Sequence, residues 1–122
     1  MIKLLPLLIV FSLSANAEEW TTADKQREVI YLTLHMIDWA QTLNIARNPD
    51  KYAEGGVVAS LLIGEHPSTD KVDAYMVGSA IIVMVSARML SPENRRVFQY
   101  VTIGDSAYSV GRNFSICIGV RF

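Results

Sequence analysis

Between Ala74 and Ala87 the chain carries no charged side chain and no proline. With Val72 before it and Met89-Leu90 behind it, this run approaches the roughly 20 apolar residues that cross a bilayer. Two architectures accommodate such a segment: a membrane helix, or the all-round apolar member of a soluble bundle. Its start is marked by Ser68 or Thr69 as N-cap, with Asp70 and Asp73 in the first turn. Gly78, Ser79 and Ala80 form a small-residue patch suited to close helix packing. Ser91-Pro92-Glu93 is a second helix start, with cap, proline at the first helical position and acid behind it. The helix it opens is expected to run through Val97, Tyr100, Val101, Gly104, Tyr108 and Val110.

A third long helix precedes these two. Thr21 is its N-cap and Asp24 the acidic member of a capping box. No glycine or proline interrupts it before Pro49, so it extends to about Asn48. The spacing of Ile30, Leu34, Ile37 and Ile45 predicts its apolar stripe, widened by Leu32, Met36 and Trp39. From Val29 to Ala46 only His35 and Asp38 can carry a charge near neutral pH. Between the first and third helical signals, Gly55-Gly56 breaks the chain. Val57 to Ile63 is long enough for two helical turns or one strand. Gly64 to Ser68 is a turn, with His66 biased to extended geometry by Pro67. The last ten residues place Phe114, Ile116, Ile118, Val120 and Phe122 at every second position. A short strand and a frayed helix end both fit them. No other strands of that kind exist to build a membrane barrel. The chain therefore reads as all-α: a small helical bundle of three long helices plus a short segment.

Residues 1–17 read as a signal peptide. Lys3 precedes the apolar run Leu4–Leu13, and Ala15-Asn16-Ala17 offers a cleavage site. Residues 18–122 then form a single helical domain, exported to the periplasm or to an inner membrane facing it. No cysteine follows the leader, so no lipidated N-terminus is expected. The whole chain has 11 basic and 12 acidic residues, a balance that gives no basic excess for nucleic acid. Cys117 is the one cysteine. It excludes an internal disulfide and is expected to be a small buried apolar side chain.

Charge asymmetry separates two membrane topologies. Three crossings from an external N-terminus would leave Arg88, Arg95 and Arg96 outside, against the positive-inside tendency. A hairpin of the third and fourth helical segments, 69–90 and 92–113, would keep those arginines inside. Asp105, mid-helix, would then cost about 2.5–3.5 kcal/mol unless partnered.

The residues able to carry chemistry begin on the first helix. His35, Asp38 and Thr42 share one face, with Gln41 beside them. A carboxylate within an apolar helix is costly unless satisfied, and the plain expectation is that Asp38 accepts hydrogen bonds from a neighbouring helix or from loop backbone. A sharper option joins His35, Asp38, Glu54 and His66 into a metal site, although no H-E-x-x-H or paired C-x-x-C spacing is present. No serine sits in a Gly-x-Ser-x-Gly elbow, and Cys117 has only Arg121 as a local basic neighbour. Tyr31, Trp39, Tyr52, Tyr75, Tyr100 and Tyr108 read as core or interface anchors.

Asp38-x-x-Gln41-Thr42, Tyr52-x-Glu54, Leu62-x-Gly64-x-His66-Pro67-Ser68 and Val72-x-x-Tyr75 together resemble a group of small exported or membrane helical proteins of unknown function. These are found in bacteriophages, prophages and proteobacteria. In that group an Asn-Pro pair usually follows the loop acid, where this chain has Gly55-Gly56-Val57 after Glu54. The resemblance implies a helical architecture and a shared polar cluster around Asp38, not an activity. The expected function is a non-enzymatic envelope protein, membrane-associated, acting through contacts with the inner membrane and other envelope proteins and needing no cofactor. The alternative is a soluble periplasmic binding module or metal-dependent hydrolase using His35, Asp38, Glu54 and His66.

Overall fold

A computed structural model describes residues 20–55 and 57–119, so the expected signal peptide lies outside the described residues. The described chain is all-helical. It comprises α1 (Thr22–Arg47), α2 (Val57–Ile63), α3 (Thr69–Met89) and α4 (Pro92–Ser115). The three long helices and the short segment fall where composition and capping residues put them.

Each long helix begins on a side-chain cap. The Thr21 hydroxyl accepts from the Asp24 amide at 3.0 Å while the Asp24 carboxylate accepts from the Thr21 amide at 3.1 Å, a complete capping box. Ser68 and Ser91 accept from the amides of Lys71 and Asn94. Gly64, with φ of 84°, turns the chain out of α2, its amide bonded back to the Ser60 carbonyl.

α1 is the central helix. It runs antiparallel to α3 and parallel to α4, and touches both along their length, whereas α3 and α4 meet mainly at their joined ends. α2 lies against α3, with Ile63 reaching the core cluster of Trp39, Leu43, Val72 and Met76.

The faces that point inward match the predicted ones only in part. On α1 Trp39 and Ile45 of the predicted apolar surface are buried, together with Ala40 and Leu43, but nearer the start of the helix Asp24, Glu28, Tyr31 and His35 point inward, while Ile30 is 48% exposed and Leu34 and Ile37 only half-buried. On α4 the buried stripe is Arg95, Gln99, Ser106, Val110 and Asn113. Val97, Tyr100, Val101 and Tyr108, through which the helix was expected to run, are all exposed. α3 turns an apolar stripe inward along most of its length: Val72, Met76, Ala80, Met84 and Ala87. Gly78 faces open space, so Ala80 alone of the small-residue patch is packed against a neighbour.

Polar ties explain the difference. Arg95, 1% exposed, donates to the Ala87 and Leu90 carbonyls at the end of α3 and to the Asp24 carboxylate on α1. Arg88 grips Glu28 with both terminal nitrogens, at 2.9 and 3.1 Å. The two guanidiniums stack over the Trp20 ring at 4.8 and 4.7 Å. Arg27 pairs with Asp24 and donates to Gln99, whose amide donates to the Asp24 carbonyl. At the opposite end Asn113 donates to Gln41, and Gln41 donates towards the Val110 and Ile118 carbonyls. A buried polar group must find such partners. Once those partners sit on facing helices, they fix which side of each helix is inside.

Up to residue 119, the last one described of the tail, the chain is neither a strand nor a frayed helix end. Ile118 N–H bonds the Asn113 carbonyl at 2.8 Å, Cys117 N–H bonds the Phe114 carbonyl at 3.0 Å, and Cys117 has φ of 66°. This is a Schellman closure with cysteine in the position that favours glycine. Cys117 is thus exposed, not buried, and Ile118 takes the buried place. A non-glycine residue there costs about 1 kcal/mol or more. Cys117→Gly is therefore expected to stabilise the fold by about 1 kcal/mol, read as a melting temperature raised by several degrees. A lowered melting temperature would contradict the left-handed cap.

Candidate functional site

Asp38, Thr42, Glu54, Tyr75, Asp105, Tyr108 and Arg112 line one cleft of about 350 Å³, with Gly55, Val58, Met76, Ser109 and Asn113 completing its wall. Five elements contribute, α2 through Val58. α1 supplies Asp38 and Thr42, the loop before α2 supplies Glu54, the first turns of α3 supply Tyr75, and α4 supplies Asp105, Tyr108 and Arg112. On α4 the last three recur at helical spacing along one face. The loop is held in place by the Glu54 amide, which donates to the Glu65 carbonyl at 2.7 Å and closes the connection around α2. Gly55 admits the Arg112 guanidinium, which occupies the space that a side chain at this position would need.

Asp38 is the most perturbed acid of the site. Burial first, then the charges of Glu54 and Asp105, push its carboxyl up to about 7. Thr42 opposes this weakly. Its hydroxyl donates to the Asp38 carbonyl at 2.7 Å and approaches the carboxylate only at 3.5 Å. The expected ties from a neighbouring helix or from loop backbone do not reach the carboxylate among the described hydrogen bonds. The group sits against two other acids, with Arg112 as the one basic residue among the described residues lining the cleft.

The six candidate residues divide evenly. Asp38, Thr42 and Glu54 meet in the cleft. His35 lies deeper along α1. Its Nε2 is 2.8 Å from the Met76 carbonyl, which can only accept, so Nε2 carries the proton, and Nδ1 lies 3.5 Å from the Tyr31 hydroxyl. Burial holds this imidazole below its ordinary value and so neutral. Gln41 belongs to the α4 end tie described above, and His66 is exposed on the turn. The four residues of the metal option are therefore not gathered, and among the described residues no three of His, Cys, Asp and Glu are placed to hold a metal ion.

Asp105, Tyr108, Ser109, Arg112 and Asn113 did not emerge as site residues from the sequence. The available signal was Asp105 itself, the only acid between Glu93 and the end of α4, with Ser109 and Arg112 one and two turns beyond it. Comparison of the chain with known protein families, curated proteins and solved structures gives no match in any of the three.

The Asp38 environment makes a pH-dependent contribution to stability. An unfolded aspartate titrates near 4, so between about pH 4 and 7 the folded state holds a proton that the unfolded chain has lost, and stability falls as pH rises through that window. His35 acts in the opposite sense, losing stability as pH falls below its unfolded value, so the comparison must be made between variants. Asp38→Asn is expected to melt above the wild type at pH 8, by no more than about 4 kcal/mol, with the difference vanishing towards pH 4. A pH-independent difference measured by thermal unfolding would contradict this assignment.

Proposed function

We propose that the protein is a membrane-associated component of the cell envelope, non-enzymatic, acting through contacts rather than turnover. The observation that carries this reading is the apolar surface exposed on all three long helices above an interior that also buries many polar groups. Val29 and Ile30 on α1, Ile82, Val85 and Met89 on α3, and Val97, Tyr100 and Val101 on α4 are exposed, while the faces of α1 and α4 that meet each other are largely polar. Exposed apolar surface on this scale marks a membrane or protein contact. Buried polar groups tied between helices under an apolar exterior suit a lipid environment.

The height of the apolar exterior indicates how deep it goes. No charged residue occurs in 29–37 of α1, 74–87 of α3 or 97–104 of α4. At 1.5 Å per residue these stretches make a belt about 12–14 Å high on α1 and α4 and about 21 Å on α3. α3 is the one described helix long and apolar enough to cross a membrane. The hydrocarbon core is about 30 Å thick, so the belt suits bedding in one leaflet better than a hairpin of α3 and α4 passing through both. The leader-like start and the resemblance to small exported proteins support the envelope as the location. The hydrolase alternative has less support, since His66 stands apart from Asp38 and His35 is tied to α3.

Membrane fractionation and vesicle sedimentation test the reading. The protein should pellet with membranes, stay there at high salt and be released by detergent. Val97→Glu combined with Val101→Glu alters only exposed positions. It should lower the membrane-bound to free ratio by at least about tenfold while leaving the fold intact by circular dichroism. Recovery of the wild type in the supernatant would overturn the proposal.

A further inference from the structure

We infer that the bundle carries a phosphate site beside the start of α1, formed by one edge of the Arg88 guanidinium and the indole N–H of Trp20. The donors of Arg88 point there. A guanidinium has five N–H donors. Nη1 uses both of its hydrogens, on Glu28 Oε1 at 2.9 Å and on the Met84 carbonyl at 2.6 Å. Nη2 gives one to Glu28 Oε2 at 3.1 Å. The Nε hydrogen and the second hydrogen of Nη2 remain. They lie side by side on one edge and point the same way, a fork that takes two oxygens of a phosphate.

The Arg88 Nε is buried, and no acceptor among the described residues reaches it. Trp20 repeats the observation beside it. The residue is 8% exposed, and its Nε1 is likewise buried without an acceptor. The Arg88 guanidinium carbon stands 4.8 Å from the ring centre, so both donors belong to one stack. A buried donor without an acceptor is costly, and two in one stack call for a ligand with several oxygens.

The surroundings select an oxyanion. One donor belongs to a cation, and the other precedes α1, whose N-terminal end is positive. Glu28 takes the end of the guanidinium and leaves its side edge, so its carboxylate does not compete for these donors. Lys25 and Arg96 follow Asp24 and Arg95 in sequence, are exposed, and add positive charge nearby. The fork lies just under the surface. Arg88 keeps 15% of its side chain in solvent, and Thr21 and Met89, the residues after Trp20 and Arg88, are exposed. A small swing of the Trp20 ring admits the ligand.

The phosphate can be a lipid phosphodiester or free phosphate. The site rests on these side chains alone, and only its lipid source rests on the membrane reading. Arg88 ends the uncharged stretch 74–87 of α3 and so stands at the edge of the belt, where headgroups and interfacial tryptophans lie.

The indole N–H resonances of the full chain in maltoside micelles provide the test. The probes are sodium phosphate, titrated against matched sodium chloride, and dihexanoylphosphatidylglycerol added to the micelles. Trp39, whose Nε1 already donates to Asp73 at 2.8 Å, is the internal control. The expected result is a saturable downfield shift of the Trp20 indole proton with Trp39 unmoved. Arg88→Lys keeps the charge and loses the fork, and should weaken binding about tenfold by calorimetry. Trp20→Phe keeps a ring under the guanidiniums and deletes an unsatisfied donor. It should weaken binding severalfold without lowering the melting temperature. Saturation by sodium phosphate assigns free phosphate and response to the lipid alone assigns the headgroup, and either supports the site. No saturable Trp20 shift in either arm, as when water alone serves these donors, overturns it, as does equal binding by wild type and Trp20→Phe. A chain that answers sodium phosphate yet fails to sediment with vesicles supports the site and removes only the membrane reading. One that sediments while Trp20 stays silent keeps the membrane reading and loses the site.

Discussion

Arg95 occupies a place where a small bundle would ordinarily carry a leucine. Its guanidinium lies between the end of α3, the start of α1 and the ring of Trp20, so a single side chain joins all three long helices. Burying a charge is expensive, and removing one partner of a buried pair costs about 3–5 kcal/mol because the other is left uncompensated. That asymmetry makes the tie a register device. α4 can meet α1 only with Arg95 level with Asp24, which also brings Gln99 to Arg27 and the Asp24 carbonyl and, five turns on, Asn113 to Gln41. Slipping by a residue would strand each of these groups.

The apolar core is concentrated at one level, where Trp39 and Leu43 of α1 meet Val72 and Met76 of α3. Below it Ala80, Met84 and Ala87 of α3 share the interior with His35, Glu28 and Arg95. Bundles in water derive most of their stability from apolar burial, and the many polar groups buried beside this core are what the proposal of a lipid-facing exterior is built on. The cleft then follows from geometry. Where the loop before α2 comes up against the bundle, α1, α3 and α4 present Asp38, Tyr75, Asp105 and Arg112 to a shared space.

The helix boundaries were legible because they rest on local chemistry: Thr21 with Asp24, Ser68, Ser91 with Pro92, and the break at Gly55-Gly56. Helix orientation was legible only in part. Periodicity on α1 and α4 shows two stripes, one apolar and one polar, and the usual rule assigns the apolar one to the core. Here partner groups seventy residues away, such as Arg95 for Asp24 and Gln99 for Arg27, decide otherwise, and sequence spacing does not record who pairs with whom. The candidate site was half legible for the same reason. Asp38 and Thr42 are one turn apart and Glu54 is the acid of the adjoining loop, whereas Asp105 and Arg112 join them only through the parallel packing of α4. Cys117 was misplaced because its neighbours Ile116 and Ile118 suggested burial, while a Schellman closure turns that one position outward.

The central claim is that the apolar faces of α1, α3 and α4 look outward into lipid. Collision measurements on nitroxide labels test it most directly. Labels are placed singly at Val101 and Ile82, with Asp70 as the control beyond the belt, in a Cys117→Gly chain reconstituted in bilayers. The account predicts that oxygen relaxes the labels at 101 and 82 far more than a water-soluble nickel chelate does, with the order reversed at 70. Nickel chelate dominating at 101 and 82 would contradict it.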